Sequence, residues 1–231
     1  MYSRFFKRAI DFTASLVALI VLFPFLLIFA LIGAVMMRGN PFFVQPRPGK
    51  KDKNGTERIF YLIKFRTMSN KKDENGNLLP DELRLNGYGK FLRSTSIDEL
   101  PSLINILKGD IAIVGPRPQL VRDMVFMTAD QRRRHDVRPG LTGLAQVNGR
   151  NNITWERKFE YDLEYIDSGI TLIGDIKIII KTALKVLKRA DVAREGTVSD
   201  VDFGDYLLAK GEVNTETYAE KQKEAKELLE V

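Results

Sequence analysis

The feature that most constrains this chain is an apolar stretch, residues 12–37, that contains no charged side chain and has Pro24 at its middle. At roughly 1.5 Å of rise per helical residue, a run of about 26 residues can cross a hydrocarbon core of about 30 Å. Proline removes a helix hydrogen bond and its ring clashes with the preceding turn, so the stretch is predicted to form two shorter arms around a break. Residues 1–38 are therefore predicted to anchor the chain in a membrane.

Basic residues flank the apolar stretch on both sides. Lys7 and Arg8 precede it, and Arg38 and Arg47 follow it. Because positive charge marks the cytoplasmic side of a membrane segment, two basic flanks favour a re-entrant hairpin that returns to the face it left. A straight span with a tolerated proline is one alternative. A cleaved signal sequence is another, although it would have a shorter apolar core and a small-residue cleavage site.

Composition excludes several kinds of chemistry. The chain has no cysteine and a single histidine, His135. Disulfides, thiolate nucleophiles and metal sites built on several Cys or His residues are therefore excluded, and a reducing cytoplasmic setting fits. The formal net charge of +6 predicts anionic partners, such as lipid head groups, phosphorylated small molecules or nucleic acid.

The part after the anchor divides into residues 39–190 and a polar tail, residues 191–231. Glycine and proline predict a turn-filled connector over residues 39–49 and an irregular loop over residues 138–152. Apolar runs predict strands over residues 59–65 and 111–114. Helical spacing predicts helices over residues 83–92, 96–108, 154–165, 172–188 and 215–230, and one from residue 119 towards residue 134. The tail is predicted to be a solvated or partner-binding appendage.

The helix predicted over residues 172–188 is amphipathic. Isoleucine and leucine form one stripe, and four lysines, beginning at Lys177 and ending at Lys188, form another. This division suits the surface of an anionic bilayer. An ordinary helix packed on a core, with solvated lysines, is the alternative.

Two adjacent carboxylates, Asp98 and Glu99, are the candidate catalytic and Mg²⁺-binding residues. Ser96 and Glu99 also match a capping box, which is the structural alternative. Cations on several other segments are candidate phosphate-binding residues: Lys64, Arg66, Arg93, Arg117 and Arg138. Arginine binds phosphate oxygens as a planar fork, a carboxylate can hold Mg²⁺ that bridges to substrate phosphates, and a carboxylate can be a nucleophile. The pattern is typical of a phosphoryl-transfer site.

Several motifs, in this order, resemble those of the bacterial sugar transferases known as monotopic phosphoglycosyl transferases. The resemblance extends from about Lys7 to about Arg189, and it is closest to the small members, including those that handle diacetylbacillosamine. The motifs are Lys-Phe-Arg-Thr-Met at residues 64–68, Leu-Arg at 92–93 with Ser-Ile-Asp-Glu-Leu-Pro at 96–101, Gly-Asp at 109–110 leading to Val-Gly-Pro-Arg-Pro at 114–118, and Arg-Pro-Gly-Leu-Thr-Gly at 138–143 with Gln-Val-Asn-Gly-Arg at 146–150.

The resemblance implies a reaction and roles for residues. Such enzymes transfer a sugar-1-phosphate from a UDP-sugar to undecaprenyl phosphate and release UMP. Asp98 would attack the phosphate next to the sugar and form a covalent phosphosugar, which the lipid phosphate then attacks. Glu99 would assist through Mg²⁺ or through proton transfer. Lys64, Arg66 and Arg93 would support the phosphates and the acid pair, and Arg117 would lie near the nucleotide.

The resemblance also implies a fold and a location. We expect a helix-rich α+β catalytic domain with few short strands, held on the cytoplasmic face of the bacterial inner membrane by the re-entrant anchor and amphipathic helices. The expected partners are a UDP-sugar, undecaprenyl phosphate and the membrane, with a homodimer as an open alternative and no nucleic acid. A non-catalytic basic membrane adaptor and a membrane-bound phosphodiester hydrolase are the alternative functions.

Overall fold

In the computed structural model, which describes residues 2–149, 153–188 and 201–230, the apolar stretch lies in one long helix, α1 (Lys7–Met36). The helix includes Pro24, whereas the sequence predicts two arms around a break. Proline removes only its own N–H donor, and the remaining backbone bonds continue the helix on both sides. Large apolar side chains of α1, including Ile20, Val21 and Phe23, are exposed. Among the described helices, α1 is the one that by length and composition could cross a membrane.

The remaining elements confirm a helix-rich α+β fold with few short strands. The strands are β1 (Phe42–Lys51), β2 (Glu57–Phe65), β3 (Ala112–Val114) and β4 (Gly140–Thr142). The helices after α1 are α2 (Asp81–Arg84), α3 (Gly87–Thr95), α4 (Leu103–Lys108), α5 (Val121–Met124), α6 (Leu144–Val147), α7 (Trp155–Asp167), α8 (Leu172–Leu187), α9 (Phe203–Lys210) and α10 (Thr215–Glu230). The predicted boundary between residues 190 and 191 lies outside the described residues, as does Arg150.

The predicted connector over residues 39–49 is wrong, because most of it belongs to β1. That strand pairs antiparallel with β2, from Phe42 opposite Phe65 to Lys51 opposite Glu57. Proline is tolerated there because each strand of a two-stranded sheet has an open edge, where a missing N–H leaves no partner unsatisfied. The loop predicted over residues 138–152 likewise contains regular structure. Its residues 140–142 form β4, which pairs parallel with β3, and α6 follows.

The segment of residues 96–109 carries the acid pair near its start and contacts α1 near its end. Ser96 has a left-handed backbone (φ 56°) and ends α3, and Ile97–Ser102 form a 3₁₀ helix that carries Asp98 and Glu99. The structure contradicts the capping-box interpretation, because Ser96 makes no side-chain capping bond and Glu99 bonds to cations elsewhere. Helix α4 follows and ends at Gly109, whose φ of 88° is unstrained only for glycine.

The first turns of α1 are bound to the end of α4. Arg8 donates hydrogen bonds from Nη1 to the Ile106 carbonyl (2.5 Å) and from Nη2 to the Leu107 carbonyl (2.8 Å). A cation at the C-terminus of a helix is favoured by the helix dipole. Further along α1, Leu19 and Leu22 pack against the core under β2 and α4. One face of α1 therefore packs against the rest of the protein from Arg8 to Leu22.

The C-terminal segment packs on the rest of the protein, whereas the sequence predicts an appendage. Phe203 and Leu207 of α9 are buried against Trp155 and Phe159 of α7. Ala225 of α10 is buried in a cluster with three apolar residues of the α5 region: Val121, Met124 and Val125. Residues four apart share one helix face, so a short apolar face on a polar helix is enough to dock it.

Candidate active site

The two carboxylates lie beside the end of β2, where two cations converge on one of them. Lys64 donates from Nζ to Oε1 of Glu99 at 2.9 Å. Arg117, in the rigid Pro-Arg-Pro turn after β3, donates from Nη2 to the same oxygen at 2.8 Å. The structure therefore brings Lys64 and Arg117 to the acid pair, and both bonds end on Glu99 rather than on Asp98.

This arrangement separates the pKa values of the two acids. Burial and the charge of Glu99 raise the pKa of Asp98 to about 6. Burial also opposes ionisation of Glu99, but Arg117 and Lys64 outweigh it and hold the pKa of Glu99 well below its usual range. Burial lowers the pKa of Lys64, although Glu99 opposes that effect. The pair thus consists of one carboxylate fixed in its ionised form and one that titrates just below neutrality.

Arg93 and Arg66 belong to the same site. Arg93, in the last turn of α3, donates from Nε to Oγ1 of Thr67 at 3.0 Å. Burial lowers the pKa of Arg93, and the Asp98 charge opposes that shift. Arg66 follows β2, and its backbone N–H donates to the Pro41 carbonyl at 2.7 Å. Because Arg66 and Arg93 line the cavity described next, the structure places both of these predicted residues with the acid pair.

A cavity of about 520 Å³ opens at the acid pair. This volume is typical of small-molecule sites. The wall near Asp98 and Glu99 is strongly cationic. The cations that line the cavity are Arg47, Lys64, Arg66, Arg84, Arg93, Arg117, Arg122 and Lys158. Such a surface is suited to a diphosphate, since charge-assisted bonds from guanidinium groups to phosphate are the strong ones.

Arg47 is a site residue that was predicted only as part of the basic flank of the apolar stretch. It lies in β1, lines the cavity, and donates to the Pro118 carbonyl at 3.2 Å and to Oε1 of Gln45 at 2.6 Å. Burial and the nearby Arg117 lower its pKa to about 10. Its Nε is buried and has no hydrogen-bond partner within the described residues. The sequence does contain a pattern that could have identified Arg47. Like Arg117, which was predicted as a site residue, Arg47 lies between two prolines.

Arg138 is not brought to this cavity. Its Nε donates to the Gly109 carbonyl at 2.9 Å, at the end of α4 where Arg8 also binds. Burial and the Arg8 charge lower its pKa. Arg138 is therefore placed at the junction with α1, away from the other predicted substrate-binding cations.

The donor set allows a magnesium ion only together with a substrate. Within residues 2–149, 153–188 and 201–230, no group of three or more His, Cys, Asp or Glu residues is arranged to hold a metal. Five carboxylates line the cavity, and Asp98 and Glu99 are the adjacent pair among them, the others being Asp123, Asp162 and Asp202. Mg²⁺ is commonly held by one or two carboxylates, with phosphate oxygens and water completing its shell. The residues present fit that mode of binding.

Comparison with known proteins identifies the family. Residues 2–189 match the sequence model described as bacterial sugar transferase. The chain is 47% identical over 198 residues to the uncharacterized sugar transferase EpsL of Bacillus subtilis, which covers 85% of this chain and 95% of that protein.

Two longer relatives carry names that state a reaction. The chain is 37% identical over 190 residues to a UDP-glucose:undecaprenyl-phosphate glucose-1-phosphate transferase of Klebsiella pneumoniae, covering 78% of this chain and 40% of that protein. It is 34% identical over 204 residues to an undecaprenyl-phosphate galactose phosphotransferase of Salmonella typhimurium, covering 81% of this chain and 41% of that protein. The chain thus spans about two fifths of these two relatives. The family predicted from the motifs is confirmed: this chain belongs to the bacterial sugar transferases.

Proposed function

We propose that this protein transfers a sugar-1-phosphate from a UDP-sugar to undecaprenyl phosphate and releases UMP. The names of the Klebsiella and Salmonella relatives support a sugar-1-phosphate transfer to that lipid carrier. The observation that carries the proposal is the contrast between the two acids. Glu99 is held by Lys64 and Arg117, whereas Asp98 has a pKa raised to about 6 in a cationic cavity.

In the first step, a carboxylate oxygen of Asp98 attacks the phosphorus atom next to the sugar. The new bond joins that oxygen to phosphorus, and the bond from phosphorus to the bridging oxygen breaks, so UMP leaves with the bridging oxygen. At neutral pH Asp98 is mostly ionised and retains more basicity than an ordinary carboxylate, which suits a nucleophile.

In the second step, an oxygen of the lipid phosphate attacks the same phosphorus atom. The bond to Asp98 breaks, the carboxylate is restored, and the product is a lipid diphosphate that carries the sugar. Lys64, Arg93 and Arg117 stabilise the charge on the phosphate oxygens in both steps. Glu99 positions Lys64 and Arg117 through its two hydrogen bonds.

Mg²⁺ is the expected cofactor, with Asp98 and Glu99 as the residues that would hold it against the diphosphate. When bound, the ion would neutralise phosphate charge and favour departure of UMP. The cations of the cavity act on the same charge, so the protein provides part of that stabilisation through its own side chains.

Contacts in the first turn of α1 and in its second half support a re-entrant, one-sided attachment to the membrane. Arg8 binds the end of α4, and the Phe29 carbonyl accepts a hydrogen bond from the Tyr88 hydroxyl of α3 at 2.7 Å. These contacts are separated by 21 residues, or about 31 Å of straight helix, which is about the thickness of the hydrocarbon core. A straight crossing would place α3 and α4 on opposite sides of the bilayer, although only the short Ile97–Ser102 helix separates them.

Helix α8 gives the membrane a second contact in this proposal. Leu172, Ile173, Ile180 and Leu187 are exposed on α8, while Ile178 is buried in the core. Exposed apolar side chains beside lysines are typical of a helix that lies in the interface of an anionic bilayer. The basic flanks of α1 support the cytoplasmic face of the inner membrane as its location.

The experiment that tests the function is a panel of UDP-sugars assayed for UMP release in detergent or nanodiscs, with undecaprenyl phosphate and Mg²⁺. The panel contains UDP-glucose, UDP-galactose and UDP-diacetylbacillosamine. We expect multiple-turnover release only with the lipid phosphate, and loss of release in Asp98→Asn but not in the surface control Asp130→Asn. Sustained release without the lipid would indicate a hydrolase, and no release with any donor would contradict the proposal.

A further inference from the structure

Part of the cavity wall comes from the C-terminal segment rather than from the region that matches the family. Val201 and Asp202 line the same cavity as Asp98 and Glu99. The family match ends at residue 189. The matched region therefore does not complete this cavity by itself.

The segment is fixed by aromatic packing immediately after these two residues. Phe203 begins α9 and is 4% exposed. Its ring centroid lies 5.1 Å from that of Trp155 and 5.1 Å from that of Phe159. Burial of an aromatic side chain of this size contributes about 2 kcal/mol or more. The start of α9 is therefore held on α7 rather than loosely apposed to it.

Polar contacts attach the segment to both sides of the cavity edge. The indole N–H of Trp155, on α7, donates to the Val201 carbonyl at 3.0 Å. The backbone N–H of Phe203 donates to Oδ1 of Asp123, on α5, at 2.8 Å. Arg122 forms an ion pair with Oδ2 of Asp202. Val201 and Asp202 therefore bridge α5 and α7 in a defined position.

The chemistry of this wall differs from that of the cationic wall. Asp202 offsets the charge of Arg122 at this wall, and a valine side chain gives a phosphate no hydrogen bond. A carboxylate has two oxygens with about four acceptor positions, so Asp202 can accept bonds from hydroxyl or N–H groups in addition to its ion pair with Arg122. Neutral, hydroxyl-bearing rings are the ligands that such a wall suits, and a nucleotide sugar has two of them, the sugar and the nucleoside.

We propose that Val201 and Asp202 form a specificity wall that contacts the uncharged, hydroxyl-bearing part of the nucleotide-sugar donor. This inference rests on the proposed function. Asp202 accepts hydrogen bonds from ring hydroxyl or N–H groups of the donor, and Val201 limits the space beside them. The C-terminal segment thereby contributes to the choice of donor, while the cationic wall binds the diphosphate that all donors share.

The test compares Asp202→Asn and Val201→Trp with the control Asp205→Asn in the full-length protein in nanodiscs. Asp205 is an exposed carboxylate in α9, three residues after Asp202, and accepts a bond from the Tyr218 hydroxyl at 2.5 Å. For each protein, kcat and KM are measured with three UDP-sugars, together with the inhibition constant of UMP and the KM of undecaprenyl phosphate. The melting temperature Tm shows whether each variant is folded.

Asn keeps one acceptor oxygen but has no charge, and the weaker hydrogen bonds predict a decrease of about tenfold in kcat/KM for the donor in Asp202→Asn. The decrease should lie mainly in KM, with the KM of the lipid phosphate unchanged. A changed order of preference among the three sugars would identify the sugar as the ring in contact. An equal decrease for all donors, with weaker inhibition by UMP, would identify the nucleoside.

The inference is overturned if the parent enzyme is active, both variants are folded, and both keep donor kinetics and UMP inhibition within twofold of Asp205→Asn. That result would leave the transferase proposal intact. If the parent enzyme releases no UMP from any donor, the transferase proposal itself fails, and the two failures are thus distinguished. If Asp202→Asn does not fold, Val201→Trp still tests the inference. The larger tryptophan side chain narrows the cavity and leaves the ion pair between Asp202 and Arg122 in place.

Discussion

The hydroxyl of Tyr88 donates a hydrogen bond to the backbone carbonyl of Phe29 across a distance of 2.7 Å, and so joins helix α3 to the distal half of the apolar helix α1. Gly33 allows the side chain of Tyr88 to approach the backbone of α1 this closely. A Cβ atom added at Gly33 would lie 2.7 Å from the Tyr88 hydroxyl oxygen and 3.1 Å from Cβ of Pro41. The contact ties a residue deep in the apolar stretch to the polar part of the protein.

From this contact we predict that both flanks of α1 are on the same side of the membrane. The chain has no cysteine, so single cysteines can be introduced without background. In inside-out membrane vesicles, Ser3→Cys and Lys53→Cys should react equally with a membrane-impermeant maleimide, because a re-entrant helix leaves both residues on the cytoplasmic face. In right-side-out vesicles both should be protected. Opposite labelling of the two positions would indicate a straight span.

We predict that the two neighbouring acids affect stability in opposite directions. With a pKa raised to about 6, ionised Asp98 opposes folding at pH 7.5 by about 3 kcal/mol, and this effect disappears as the pH falls below the raised value. Ionised Glu99, whose pKa is depressed, favours folding above its unfolded pKa, and this contribution is lost as the pH falls through the depressed value. Thermal unfolding at pH 7.5 should show a Tm higher by about 6–12 °C in Asp98→Asn and a lower Tm in Glu99→Gln.

The matched control for these two variants is Asp130→Asn. Asp130 is exposed and pairs with Arg133 only within one helical turn, so its removal should leave Tm unchanged. A lower Tm in both Asp98→Asn and Glu99→Gln would contradict the opposite effects of the two charges.

The raised pKa of Asp98 also predicts the pH dependence of the first chemical step. Attack requires the carboxylate, so the rate of UMP release in a single turnover, at donor concentrations well below KM, should fall tenfold per pH unit below about 6. The lipid phosphate titrates in the same range, and the measurement is therefore made without it. A rate that stays constant from pH 7.5 to pH 5 in folded protein would refute the assignment of the titrating nucleophile.

Arg47 and Arg138 are predicted to differ in their effect on the donor. Arg47 lines the cavity and has a buried Nε without a partner in the described part of the chain, whereas Arg138 binds Gly109 at the end of α4. Arg47→Gln should lower kcat/KM for the UDP-sugar by about tenfold to a hundredfold, the equivalent of one hydrogen bond to a charged group. Arg138→Gln should change it less than threefold. Equal losses in steady-state kinetics would show that Arg138 also contacts the donor.

Local sequence patterns were sufficient to predict the elements that are specified by residues close together in the chain. The predicted strand at residues 59–65 lies within β2, the predicted helix at residues 172–188 coincides with α8, and Gly109 ends α4 as predicted. Each is specified by hydrophobic spacing or by one residue with a special backbone conformation. The cations Lys64, Arg93 and Arg117 were likewise identified from their types and from the family motifs.

Long-range pairing explains what the sequence did not reveal. Strand β1 exists because β2 pairs with it, and its prolines made it resemble a connector. Helix α9 docks through Phe203 and Leu207 onto α7, a contact that no local pattern in a polar segment indicates. Arg138 resembled the other cations by type, and only the tertiary structure separates it from them.

The two hydrogen bonds from Arg8 to the end of α4 fix the position of Asp98 relative to α1. Helix α4 and the preceding 3₁₀ turn form an uninterrupted helical rod between Asp98 and the carbonyls that Arg8 binds, about 15 Å long at the usual rise per residue. In the proposed function, such a rod would hold Asp98 at a fixed depth relative to the acyl chains, and the carrier lipid would have to bring its head group to that depth. Adding or deleting one residue in α4 would turn the rod by about 100° and shift it by about 1.5 Å, which would aim the carboxylate away from its target.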